Sequence, residues 1–327
     1  MRSRRILGDR GCCVYHCMSR TVNGDAIIGV REREVLRKMI HQTVSFSGVE
    51  LLTYVIMDNH FHVLVCVEGS AKEVSDAELV RRFKILYPKA TQYQPTDAEV
   101  LRSTLAQGGP EADKIRKSLK ARMGDVSEFM RTLKQRFTIW FNKSHERYGP
   151  LWSDRFKSVI VENDPVVVKT VAAYIDLNPV RAGLMKDPKD YRFCGYAEAV
   201  AGNEKLRMGI SAVLANQDVG QALADYRVVL FGKGARPKAD GSGVHMHESA
   251  SRKVIEEHGE LSTQEQLLQR LRFITEGAVI GSSAFVEKSI KEWTRKIRDR
   301  RERKANEVSL LGIPNLASFR KSRSVAR

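Results

Sequence analysis

The sequence predicts an α+β protein in which helices lie on a sheet that leans antiparallel. Two observations carry this. The runs ELLTYVIM (Glu50 to Met57) and HFHVLVCV (His60 to Val67) flank the turn-prone pair Asp58-Asn59, as the arms of a hairpin do. Around them stand segments whose apolar residues recur at helical spacing, the period of a helix that buries one face.

In chain order, GCCVYHCMSR (Gly11 to Arg20) reads as a strand. REREVLRKMIHQTVSFSG (Arg31 to Gly48) places Val35, Leu36, Met39, Ile40 and Val44 on one helical face, with Gly48 as its stop. The hairpin follows. From Gly69 to Gly124 the chain is polar and broken by Pro88, Pro95 and Pro110, with one short helical patch at AELVRRFKILY, and reads as an insertion without nameable chemistry. A strong helix runs from Val126 to about Lys143, opened by Asp125 with Glu128 at capping-box spacing. Its apolar stripe includes Phe129, Leu133, Phe137, Trp140 and Phe141. Phe156 to Val161 is a further strand, and DPVVVKTVAAYIDLN a helix that ends before Pro179. Past about Gly202 the pattern turns helical and loop-rich, and GKGARPKADGSGVHMHES (Gly232 to Ser249) has the composition of a linker. The expected organisation is one domain over 1–200 with an insertion at about 69–124, a helical and linker region over 201–248, and a basic helical C-terminal segment over 249–327.

At 327 residues the chain can bury a sizeable core without covalent staples. Its five cysteines are odd in number and lack the paired CxxC spacing of a structural zinc site, which suits a reducing compartment. No stretch approaches a membrane span and the first residues hold no apolar signal core, so a cytoplasmic protein with no membrane partner is expected. Fifty-five Lys and Arg against thirty-nine acids leave +16, an imbalance that points to a polyanionic partner. Part of it is concentrated: Arg295, Lys296, Arg298, Arg300 and Arg301 open a run of seven basic residues in the ten positions to Lys304. A solvated helix face and phosphate contact both fit such a run.

The stretch MDNHFHVLV poses the chemical question. Strand alternation puts His60, His62, Leu64 and Cys66 on one face and Phe61, Val63, Val65 and Val67 on the other. Two imidazoles at i and i+2 stand about 7 Å apart at the base and can converge on one divalent ion, which would polarise a phosphate. Structural histidines are the competing reading. The apolar-flanked His-Phe-His after Met-Asp-Asn resembles the HUH motif of single-tyrosine transposases. SRTVNGDAIIG, LLTYVIMDNHFHVLV, SEFMRTLKQRFTIWFN, GPLWSDRFKS and YIDLNPVRAGL are similar, in order, to successive blocks of the REP-associated tyrosine transposase group, over roughly Cys13 to Tyr196. VSDAELVRRFKILY and FITEGAVIGSSAFVE are also similar to that group.

The resemblance implies a ferredoxin-like antiparallel sheet with helices packed on it, acting on single-stranded or hairpin DNA, including repetitive extragenic palindromes, as a nucleoid-associated monomer or homodimer. It implies Mg or Mn held by His60, His62 and a polar helix residue, for which Asn142 or Gln135 is the candidate. In the family a helix tyrosine attacks the scissile phosphate and leaves a covalent 5′-phosphotyrosine. That position is Phe137 here, which has no oxygen to attack with. Tyr148, eleven residues on, is the nearest substitute along the chain, whereas Tyr54 on the preceding strand reads as framework. A catalytically inactive, domesticated DNA-binding protein is therefore the alternative to an active transposase or endonuclease. Arg155 and Lys157 alternate on one strand face and suit phosphate as well as solvent, and Arg181 follows an Asn-Pro that serves equally as a helix stop. His16 and Cys17 read as core or edge positions of the first strand. His245 and His247 lie in the linker, without a further ligand nearby in sequence.

Overall fold

In the computed structural model, strand β1 (Cys12–Arg20) pairs antiparallel with β3 (His60–Glu68) on one side and β4 (Lys157–Val161) on the other. The residues described are 6, 12–68, 73–92, 94–231, 266–268, 271–297, 303–309 and 312–320. β2 (Glu50–Ile56) folds back on β3 through Asp58-Asn59, and the Met57 N–H closes the turn on the His60 carbonyl at 2.8 Å. The hairpin is as expected, and these four strands run in the order β2-β3-β1-β4.

Helix α1 (Val30–Ser47) links β1 to β2, and it stops at Gly48, whose φ of 70° is the left-handed cap conformation that costs glycine least. Helix α5 (Val126–Ser144) leads into β4 and opens on the Asp125 carboxylate, which accepts the N–H groups of Ser127 and Glu128. Both pack on the sheet face that carries Phe61, Val63 and Tyr54. The other face is covered by α6 (Pro165–Asp176), α7 (Asn178–Arg181), α8 (Gly195–Val200), α9 (Glu204–Leu214) and α10 (Val219–Phe231). α9 sits directly on β2: a Cβ at Gly209 would fall 2.6 Å from the Leu51 carbonyl oxygen, so only glycine fits there.

Three expectations are corrected. The insertion holds three helices, α2 (Asp76–Leu86), α3 (Ala98–Gln107) and α4 (Gly109–Lys120), with a core of its own in which Leu79, Phe83, Leu101 and Leu119 meet Phe46 of α1. Its prolines fall between helices or in the first turn of α4, where the missing N–H costs nothing. The segment expected to be a helical appendage over 249–327 instead extends the sheet. After α11 (Arg272–Glu276) come β5 (Val279–Ser282), α12 (Ser283–Ile297), β6 (Asn306–Glu307) and β7 (Leu316–Phe319). β5 pairs parallel with β4, and the full order is β2-β3-β1-β4-β5-β7-β6. Strands of two to four residues carry too few positions for period two to show in sequence. Cys12 and Cys66, 54 residues apart, are joined as a disulfide that runs diagonally across β1 and β3, which departs from the expectation of free thiols in a reducing compartment. No described helix is long and apolar enough to cross a membrane.

Candidate functional site

Directly opposed residues of antiparallel strands share a face. Arg20 stands opposite His60, Met18 opposite His62, and Lys157 of β4 opposite Met18. This row, and not the Phe61 row, opens into a cleft of about 460 Å³. Tyr174, Asn178 and Arg181 line it from α6 and α7, Ser153 to Arg155 from the loop before β4, and Glu276 from the end of α11.

The two imidazoles are held in one tautomer each. A carbonyl can only accept, so His16 Nδ1 carries a hydrogen and donates it to the Ile274 carbonyl at 3.0 Å. Burial holds His16 neutral, its pKa lowered to about 4 against the opposing pull of that carbonyl. Its Nε2 is then a bare acceptor, 2.7 Å from His62 Nδ1, so His62 donates there and keeps a lone pair on Nε2. His62 is itself held well below the ordinary histidine range by burial, with His16 and His60 adding to it. His60 is lowered to about 4, first by burial and then by Arg20, with Asp58 and the Asn178 side chain opposing. Its Nδ1 donates to the Asn59 amide oxygen at 2.6 Å, which again leaves Nε2 without a hydrogen, with the Asn178 side chain beside the ring. The rings sit edge to face with centroids 5.1 Å apart.

Such a pair fits a metal in part. Ligand histidines generally have the second nitrogen fixed by a hydrogen bond, as both have here. Imidazole donors suit a first-row transition ion better than Mg. Among the described residues no group of three His, Cys, Asp or Glu is arranged to hold an ion, so the remaining positions would fall to water and substrate oxygens.

The positive rim has four members. Arg20 and Arg155 are exposed, and Lys157 projects from the β4 edge of the row. Arg181 is committed to structure as well: its guanidinium lies 4.0 Å over the Tyr174 ring and donates to the Leu267 carbonyl at 2.9 Å. Burial lowers its pKa.

No residue of helix α5 lines this cleft, although its Lys134 donates to the Asp154 carbonyl on the rim. Phe137 is fully buried, and its ring meets Trp152 at 5.8 Å, which in turn meets Phe61 at 5.4 Å, so it lies on the sheet face opposite the histidines. The apolar stripe that includes Phe137 fixes which residues are buried, not which sheet face they cover. Asn142, expected as third ligand, donates Nδ2 to the Gly149 carbonyl, and its buried Oδ1 meets no hydrogen-bond donor; it does not line the cleft. Gln135 lines a different groove. Tyr148 is 94% exposed and also outside the cleft lining. Tyr54 is buried framework, donating to Glu198 at 2.8 Å. Arg295 and Lys296 are exposed on the last turn of α12, away from the cleft lining, while Arg298, Arg300, Arg301, His245 and His247 lie outside the described residues.

The sequence reading missed Arg20, Asn178 and Tyr174 as cleft residues and His16 as the partner of His62. Arg20 alone had a local signal, as a charge ending an apolar strand.

No family model matches the chain, and no curated protein matches it. A solved structure of a REP-associated tyrosine transposase bound to a REP hairpin is similar at 16% identity, over 62% of this chain and 87% of that one, with a TM-score of 0.39. A likeness of that degree assigns no family.

Proposed function

We propose that the chain binds single-stranded or hairpin DNA and cleaves its phosphodiester at the His60–His62 cleft, in the manner of the single-tyrosine HUH transposases but without their tyrosine step. The observation that carries this is the cleft itself, in which two neutral imidazoles, each with Nδ1 committed and no hydrogen on Nε2, stand among Arg20, Arg155, Lys157 and Arg181. The succession β1-α1-β2-β3-α5-β4 with order β2-β3-β1-β4 supports a ferredoxin-like core. Arg155 and Lys157 grip the backbone phosphate, and Arg181, pinned by Tyr174, presents its remaining donors in fixed orientation. A divalent ion, Mg or Mn, held by His60 and His62 would supply Lewis-acid polarisation of the phosphate. With no tyrosine hydroxyl delivered by α5, the product is a hydrolysed strand and no protein-DNA adduct.

A second reading, an inactive DNA-binding protein, is favoured by the burial of Phe137. One assay separates them. A labelled hairpin incubated with the protein and Mn, then run on a denaturing gel, should show shortened strand that disappears in His60→Ala. Intact strand under every condition, with binding retained, would establish the inactive reading. An adduct would overturn the hydrolytic one, and peptide mass would locate the tyrosine, with Tyr174 and Tyr148 the two to inspect.

A further inference from the structure

The insertion builds a second groove, remote in chemistry from the histidines. It lies between the end of α2, the chain before α5, and the outward face of α5, and measures about 800 Å³. Lys89, Arg122, Arg131, Arg136 and Lys143 line it, and no Asp or Glu does. Arg131 is paired with Glu128 outside the lining. Among the described residues the other four meet no carboxylate.

Arg136 is the unusual member. Its guanidinium is largely buried, its Nη2 donates to the neutral Gln42 amide oxygen at 2.8 Å, and its Nη1 has no acceptor at all. Arg122 lies close by: both guanidiniums approach the Tyr87 ring, at 5.8 and 5.9 Å from its centroid. Burial lowers the Arg136 pKa to about 10, with the like charge of Arg122 adding to the effect and Tyr87 opposing it. A buried positive charge facing another, with neutral partners only, is an uncompensated arrangement that an anion in the groove would relieve. The same helix connects this groove to the cleft. One turn after Arg131, Lys134 Nζ donates to the carbonyl of Asp154 on the cleft rim at 2.8 Å.

We infer that the groove is a phosphate-binding site for the backbone of a nucleic-acid strand, with Arg122 and Arg136 as its paired guanidinium floor and Lys89 and Lys143 as its exposed margin. The identity of the ligand rests on the DNA reading above, whereas the site rests on its own residues. A strand held here and along α5 would enter the His60–His62 cleft past Asp154, so the insertion adds binding length to the site where cleavage occurs.

The test is anisotropy of a labelled single-stranded oligonucleotide titrated with the full chain at several salt concentrations. Lys89→Gln with Lys143→Gln changes exposed positions only, and should weaken binding about tenfold and reduce the salt slope by roughly 1.4, about 0.7 for each lost contact. Arg136→Gln should weaken it further, and Arg136→Lys should restore most of the affinity. Wild-type affinity and slope in the lysine pair and in Arg136→Gln, alongside weakened binding by Arg155→Gln with Lys157→Gln, would overturn the groove and leave the cleft reading standing. Loss in the groove variants with none in the cleft pair would uphold the groove and sink the cleft. Equal competition by inorganic phosphate or a mononucleotide would overturn the strand assignment, and a wild type that binds no strand would overturn both.

Discussion

His62 serves as a ligand or base only in the tautomer with Nε2 bare, and His16 imposes it from a neighbouring strand. Replacing His60 and His62 by Ala should abolish Mn binding while leaving DNA affinity largely intact, since affinity comes from Lys and Arg. His16→Phe keeps an aromatic ring at this position and removes the tautomer lock, and should cost about 10–100-fold in Mn affinity, the usual effect of losing such an outer partner. Calorimetric Mn titrations identical for wild type and all these variants would refute the metal assignment. Phe137→Tyr is a different matter. Because Phe137 packs against Trp140, Phe141 and Trp152 with no exposure, the added hydroxyl has no place near the histidines. The variant should lose about 1–3 kcal/mol of stability for a buried unpaired hydroxyl and form no adduct with hairpin DNA in Mn. A covalent adduct from this variant would mean that α5 can reach the cleft.

The elements that close the sheet have structural duties that their charge obscures. All four residues of β7 are buried, and β7 covers the edge that β5 would otherwise expose. Deleting the chain after Trp293 should therefore lower the melting temperature, because burial of Leu316 and Phe319, about 1.5–3 kcal/mol each, is lost together with the strand pairing. An unchanged melting curve would show the C-terminal strands to be dispensable. Arg295 and Lys296 need a gentler test, since truncation removes fold and charge at once. Both line neither the cleft nor the groove, so replacing both by Gln should leave the salt slope of DNA binding unchanged. A fall of roughly 0.7 per residue would return them to the DNA interface.

One buried carboxyl ties the layers of the molecule together. Asp176, at the end of α6, accepts from Thr53 of β2 at 2.7 Å, from Tyr226 of α10 at 2.7 Å and from the Tyr196 N–H of α8 at 3.3 Å. Burial raises its pKa to about 7, although these three donors pull the other way. An unfolded aspartate titrates near about 3.9, so between there and about pH 7 the folded state holds a proton that the unfolded state has lost. Stability contributed by this group is thus complete below about pH 4 and falls as pH rises to about 7. Asp176→Asn should lack that component. Urea unfolding of both proteins across this range should show their stability difference shifting in favour of the variant as pH rises, and a constant difference would mean that Asp176 is ionised in the fold throughout.

Whatever near neighbours along the chain decide could be read from it directly. Steric period two placed His60 and His62 together and away from Phe61, the Asp125 carboxylate marked the start of α5, and Gly48 marked the end of α1. The cationic character of both grooves was also present in composition. Only the tertiary structure decided which face of the sheet α5 covers, because an amphipathic stripe reads the same on either side, and that choice separates Phe137 from the histidines. It likewise decided that His16 meets His62 across 46 residues, since register is set by pairing between distant strands and leaves no local mark. The grooves belong to the same class. Arg20 and Arg181 share a cleft, and Arg122 comes near Arg136, only when separate elements pack, and the burial that strips an arginine of water has no counterpart in the linear chain.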